Sequence, residues 1–338
     1  GFIAGVPNNM EDTEIEKIIN LGVLGFKIYP LNPLSGIDWY DSTNIQKLLI
    51  ISSKYQVPIF IHAAFPISNL EKEQIIEEWK KQKHPILELH NKLNPVKKEE
   101  EFISYIIENY KNFIIKQKLD PKRYPIIHFC HISCIESYLM IQKARSSDEN
   151  LKISYEVTPH HLLLSTNLTL TNDNHGKVLP PLRKQKHQNF LFNELKEGNI
   201  EIIGTDHAPH TIKEKLLEYF KAPSGFPGFE TYPLVILHKV FNFELSLDNF
   251  VKASSENPAK IFNLKTKGFI KEGYDADLLI VDKVPKYQVN PKNFKTKAKF
   301  SPFENFKTSV QIWKVFLRGI EINYKNINPN GRILYRKL

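Results

Sequence analysis

Cysteine is scarce in this 338-residue chain, with only Cys130 and Cys134 present, and arginine is scarcer than its positive charge would lead one to expect. Two thiols cannot build a disulfide framework, which points to a reducing compartment. Lys and Arg total 46 against 37 Asp and Glu, giving +9, yet only six of the 46 are Arg. With no block of five or more like charges and no aromatic–Arg cluster, the excess does not describe a phosphate-binding surface, and nucleic acid is not expected as a partner. No apolar run reaches about 18 residues, and Gly1-Phe2-Ile3-Ala4-Gly5 lacks the charged n-region of a signal peptide. Neither a membrane span nor a signal peptide is expected, and the cytoplasm is the expected location. What the chain does have is core material. Hydrophobic residues make up 41% and charged residues 25%, which suits one large or two ordinary domains and excludes a disordered tail.

Short runs rich in β-branched residues alternate with helical stretches over about the first 260 residues, the pattern of a parallel β/α architecture. The expected strands are 2–6, 23–29, 57–63, 125–132, 152–157 and 200–205, too few for a closed eight-stranded barrel. The charged stretch 71–118 lies between the third and fourth. In its second half Ile103, Ile106, Ile107, Tyr110, Phe113 and Ile114 recur at helical spacing, so an amphipathic helix on the barrel exterior is expected there. Beyond Phe269 the texture changes to short strands and turns, with alternation at 276–282 and 310–322 and a loop expected over 287–305.

In a parallel β/α barrel the residues at the strand C-terminal ends line one mouth, where chemistry is done. Lys27 closes the second run, His62 the third, His131 the fourth and Asp206 the sixth. Singly, each has an ordinary structural explanation: a snorkelling lysine, a core histidine or a helix cap. Together on one rim, imidazole and carboxylate are good ligands for a metal such as zinc. His160, His161, His207 and His210 add four imidazoles near that rim, as supports or substrate donors. The turn-rich Gly225-Phe226-Pro227-Gly228-Phe229-Glu230-Thr231 can bring bare backbone against a ligand. No Gly-x-Ser-x-Gly elbow is present, and a nucleophilic Cys130–His131 pair is the competing mechanism.

At this point the ordered motifs resemble those of the dihydroorotases in the cyclic amidohydrolase superfamily. They are Gly25-Phe26-Lys27, the His131 run, Glu156-Val157-Thr158-Pro159-His160-His161, Lys177-Val178-Leu179-Pro180-Pro181-Leu182-Arg183, Asp206-His207-Ala208-Pro209-His210, and Ala222-Pro223-Ser224-Gly225 with its continuation to Thr231. Ser255-Glu256-Asn257-Pro258-Ala259-Lys260, Gly273-Tyr274-Asp275-Ala276-Asp277 and Lys299-Phe300-Ser301-Pro302-Phe303 extend the match over nearly the whole chain. The resemblance implies an α/β fold: a TIM-type (β/α)8 amidohydrolase barrel lacking its first two strands (1–262), with a small C-terminal β appendage (263–338). It also implies two divalent metal ions, Zn by default, and CO2 to carbamylate Lys27, since an ammonium cannot ligate a cation. His62 and His131 would complete one metal. Asp206 would bind the other and shuttle the proton as activated water opens the ring amide. His210 would contact the substrate carboxylate, with Pro227 and Gly228 also against the substrate.

Three departures from the family pattern stand out. The pattern's first strand carries a His-x-His pair with a nearby Arg, and no His-x-His occurs in this sequence. The resemblance therefore implies that the chain starts at the third strand and is incomplete as an enzyme. Ala64 stands where the family usually has Glu, and Leu179 where Asn is common. The implied reaction is reversible interconversion of dihydroorotate and N-carbamoyl-L-aspartate in pyrimidine biosynthesis, by a homo-oligomer or a complex with a neighbouring enzyme of that pathway. Allantoinase is favoured only by residues 1–27 and 33–38, while His210 favours dihydroorotase. The shared metal lysine and ligands also admit a dihydropyrimidinase-like amidase, and the missing histidine pair admits an inactive dihydroorotase-like scaffold.

Overall fold

A computed structural model describes residues 1–33, 36–82, 85–323 and 330–334, so Leu34 and Ser35 of the 33–38 phrase lie outside the described residues. Six parallel strands form one sheet: β1 Ile3–Gly5, β2 Gly25–Ile28, β3 Pro58–Ile61, β4 Ile126–Phe129, β5 Ile153–Val157 and β6 Ile202–Ile203. Each falls inside an expected run, and each pairs with the next in sequence, so β1 and β6 are the two edges. All four residues of β3 are buried, as expected of a parallel strand covered on both faces. This is a TIM-type barrel sheet represented by six consecutive strands.

Helices cover the outside of the sheet. Ser42–Tyr55 is started by Asp41, whose carboxylate accepts from Thr43 N at 2.8 Å, and it buries Ile45, Leu48, Leu49 and Ile51. The amphipathic helix expected in 71–118 runs Val96–Gln117 and buries Phe102 together with all six residues of the expected stripe. The first half of that stretch is also helical, as Asn69–Gln82 and Ile86–Leu93. No side chain of Asn69–Gln82 is buried among its described residues, so no apolar periodicity announced it.

The C-terminal residues form a three-stranded antiparallel sheet: β7 Leu278–Gln288, β8 Lys307–Leu317 and β9 Ile320–Glu321. β7 is longer than expected and takes Tyr287 and Gln288 from the loop expected over 287–305; register shifts after Ile280 and Lys283 mark its irregularities. Two bonds tie this sheet to the helix Tyr232–Phe241: Thr308 Oγ1 donates to Leu234 O at 2.7 Å, and Ser309 N donates to His238 Nδ1 at 3.1 Å. Among the described residues no helix is long and apolar enough to cross a membrane.

Candidate active site

The sheet delivers its polar residues to one end. Lys27 is the penultimate residue of β2, paired in register with Gly5 and Phe60. His62 directly follows β3, its N–H donating to Ile28 O at 3.2 Å. His131 lies two residues past β4, held between Cys130 N donating to Ile61 O and Ile132 N donating to Glu156 O, each at 2.9 Å. Asp206 lies three residues past β6. His131 and Asp206 both adopt left-handed backbone, with φ of 38° and 46°. Such conformations cost non-glycine residues about 1–3 kcal/mol and gather at functional sites.

His62 Nδ1 and His131 Nε2 stand 3.1 Å apart in a buried setting, and His131 Nδ1 has no hydrogen-bond partner. Burial holds both imidazoles well below their usual pKa, and Lys27 pushes the same way. Both are therefore neutral at pH 7 with lone pairs to offer. Burial also acts against the Lys27 ammonium, but Cys130, to which it hydrogen-bonds, and the carboxylates of Glu156 and Asp206 outweigh it and raise its pKa. Asp206 is pushed up to about 6, chiefly by burial and against the pull of Lys27. The four rim residues thus act on one another across a single mouth.

Other histidines sort into different tasks. Thr158 Oγ1 bonds His161 Nδ1 at 2.9 Å while His161 Nε2 donates to Pro180 O at 3.2 Å, so His161 ties two motifs together. His160 is buried edge-on to Phe226 with Nε2 unpartnered. His207 Nδ1 accepts from the N–H groups of Gly228 and Phe229 at 3.0 and 3.2 Å, and its ring stacks on Phe229, making it an anchor for that turn. His210 Nε2 donates to Ser224 O at 3.1 Å, leaving Nδ1 for a ligand. Gly225, at φ 125°, and Gly228 pass so close to Ala208 O and Thr205 O that a Cβ would approach to 2.8 and 2.9 Å.

A cluster that the rim pattern did not single out lies deeper. One ligand atom each from His128, Cys130 and Glu156 falls within 4.8 Å of the others, a group able to hold a cation. The available signal was spacing, since His128 and Cys130 are two apart around the end of β4. Burial pushes the Cys130 thiol up to about 12 and the Cys134 thiol well above its usual value, which weighs against a nucleophilic thiolate. Beside His62 opens a cleft of about 270 Å³ whose lining includes Ala63, Ala64, Phe65, Leu179, Pro180 and Arg183. Both departures at Ala64 and Leu179 lie on its wall. Arg183 is locked there by Glu99 at 3.0 Å and Ser133 Oγ at 2.8 Å.

A β/α barrel sheet whose mouth gathers imidazoles, a lysine and a carboxylate defines a class, that of the barrels with metal-competent side chains at the strand C-terminal ends. The chain belongs to the Amidohydrolase family, whose model matches residues 41–322. It is 42% identical over 185 residues to a dihydroorotase of Methanosphaera stadtmanae, covering 54% of this chain and 42% of that protein. It is 32% identical over 311 residues to a dihydroorotase of Methanosarcina acetivorans, covering 90% of this chain and 63% of the relative. The matched region therefore spans less than two-thirds of the length of either relative. The solved D-hydantoinase (dihydropyrimidinase) of a Thermus species superposes with a TM-score of 0.81 at 21% identity, covering 98% of this chain and 72% of that one, a likeness of fold.

Proposed function

We propose that this chain carries the catalytic mouth of a dihydroorotase, interconverting dihydroorotate and N-carbamoyl-L-aspartate. Residues 1–262 would form the working unit, with the cytoplasm as its compartment. The observation that carries this reading is the His62–His131 approach at 3.1 Å on a mouth shared with Lys27 and Asp206. The match of 90% of the chain to a dihydroorotase relative supports the choice of substrate.

The donor set fits a divalent ion. Two neutral imidazoles converge, His131 Nδ1 is orphaned, and Lys27 would become an oxygen ligand once its ammonium gives up a proton and the free amine adds CO2, releasing a second proton to leave an anionic carbamate. Such an ion supplies Lewis acidity, which lowers the pKa of water and polarises an amide carbonyl. The chain's own residues do the rest. Asp206, whose pKa burial brings close to neutrality, accepts the proton of the attacking water and returns it to the departing ring nitrogen. His210 offers Nδ1 to the substrate carboxylate, and the Gly225–Gly228 backbone closes against the ring. A cyclic amide of the hydantoin type is the second reading, favoured by the apolar Ala64 and Leu179 on a cleft wall that also carries Lys98, Glu99 and Arg183.

The test is metal content with ligand binding. The purified chain should retain about one tightly held divalent ion per chain, through Lys27, His62 and His131, and lose it in Lys27→Met. L-dihydroorotate should then bind more tightly than hydantoin in calorimetry. Retention of the ion by Lys27→Met, or a preference for hydantoin, would overturn the assignment.

A further inference from the structure

Beneath the substrate-facing turn lie two buried ammonium groups for which the proposed reaction has no use. Lys215 is fully buried and Lys177 nearly so. Lys215 Nζ donates to three carbonyl oxygens, those of Pro223 and Gly225 at 2.9 Å and Lys177 at 3.2 Å. Lys177 Nζ donates to Tyr219 O at 2.7 Å and to Ala222 O, with the Tyr219 ring 4.3 Å away. The Lys177 carbonyl also receives Gly225 N at 2.9 Å, so one peptide group joins both lysines to the turn. Below them His90 bonds Tyr219 OH and Val178 O, each at 2.7 Å, closing the floor.

Burying an ammonium is costly, and here the acceptors are backbone carbonyls and ring faces. Burial pulls Lys215 down to about 7 and Lys177 to about 8, against carbonyl acceptors that favour the charged form. Every carbonyl outside the Lys177 peptide belongs to residues 219–225, the stretch that leads into Gly225–Gly228. His210 also bonds into that stretch at Ser224.

We propose that Lys215, assisted by Lys177, is a positioning residue for the acidic substrate. Its ammonium clamps the 219–225 carbonyls and so fixes where His210 Nδ1 and the Gly225–Gly228 backbone meet the ligand. The inference rests on the dihydroorotase reading for the ligand's identity, while the clamp itself is a statement about this turn. Removing a charged hydrogen-bond donor from the turn loosens it locally, and loss of such a bond is typically worth about tenfold in an equilibrium.

The experiment compares the wild-type chain with Lys215→Met, which keeps the apolar stem and removes the charge. Lys177→Met serves as a second variant should the first not fold. In the variant, amide hydrogen exchange at Gly225, Gly228 and Phe229 should accelerate about tenfold or more while β3 and β4 keep their protection. Affinity for N-carbamoyl-L-aspartate should fall by a similar factor. Unchanged exchange in the turn, equal acceleration throughout the barrel, or an unchanged affinity for N-carbamoyl-L-aspartate in a loosened turn would overturn the clamp, because a merely structural lysine would loosen the turn without moving ligand binding. A wild-type chain that fails to bind N-carbamoyl-L-aspartate counts against the dihydroorotase reading, and the exchange comparison still decides the clamp.

Discussion

Asp206 combines two properties that rarely coincide: a left-handed backbone and a carboxyl that burial pushes up to about 6. A group with a pKa near neutrality both takes and returns a proton efficiently. In the full-length protein, Asp206→Asn keeps the shape but carries no proton, so turnover of dihydroorotate should fall about 10²–10⁴-fold, with metal content falling less. Absorbance assays alongside metal analysis check this, and turnover within about threefold of wild type would remove Asp206 from the role. His210→Ala should instead raise KM more than it lowers kcat, because the role proposed for His210 is only to hold the substrate. Glu99 gives a pH prediction. Burial alone would raise its pKa, but the Arg183 guanidinium and the Ser133 donors overcome that and hold it below its ordinary 4.5. The folded form thus binds its proton less readily than the unfolded chain. The resulting stability is fully present above about pH 4.5 and lost as pH falls through the lower folded value. Thermal melts of wild type should drop on acidification more steeply than those of Glu99→Gln. At pH 7 that variant should be less stable by about 3–5 kcal/mol, since it leaves the Arg183 charge buried without its partner.

The six strands were legible as elements because each is a short β-branched run between helical stretches, and the Val96–Gln117 helix because its buried stripe repeats at helical spacing. Phe102→Ala on that stripe, at a fully buried position, should cost about 3–5 kcal/mol in urea unfolding. The exposed Leu70→Ala on Asn69–Gln82 should cost well under 1 kcal/mol, about the size of an ordinary surface substitution. The same contrast explains why Asn69–Gln82 is illegible in the sequence: a helix without a buried face leaves no apolar period there. The rim residues were legible because position at a strand end is a one-dimensional property. The Glu99–Arg183 pair and the Lys177–Lys215 pair were not, since nothing local in a sequence says that residues 84 or 38 positions apart meet in the fold. The motif that contains Lys177 and Arg183 was visible, but what its cations hold was not.

Across the whole molecule, a net charge of +9 gives a field that favours the approach of anions. Association with the dianionic N-carbamoyl-L-aspartate should therefore weaken as ionic strength rises from about 0.01 to 0.15 M, as the Debye length shrinks from about 30 to 8 Å. Binding isotherms in a salt series check this, and affinity independent of salt would confine recognition to short-range contacts at the mouth. The order of strands in space equals their order in the chain, β1 through β6. A sheet of that kind can grow at its free edge while the polypeptide is still being made, each new strand docking on the last as it leaves the ribosome. The mouth behaves otherwise, because its members run from Lys27 to His210 and Asp206 follows the final strand. A nascent chain can thus be largely folded while its site still lacks the residue expected to move the proton. The proposed site is therefore assembled only after β6 has been made, later than most of the sheet that carries it.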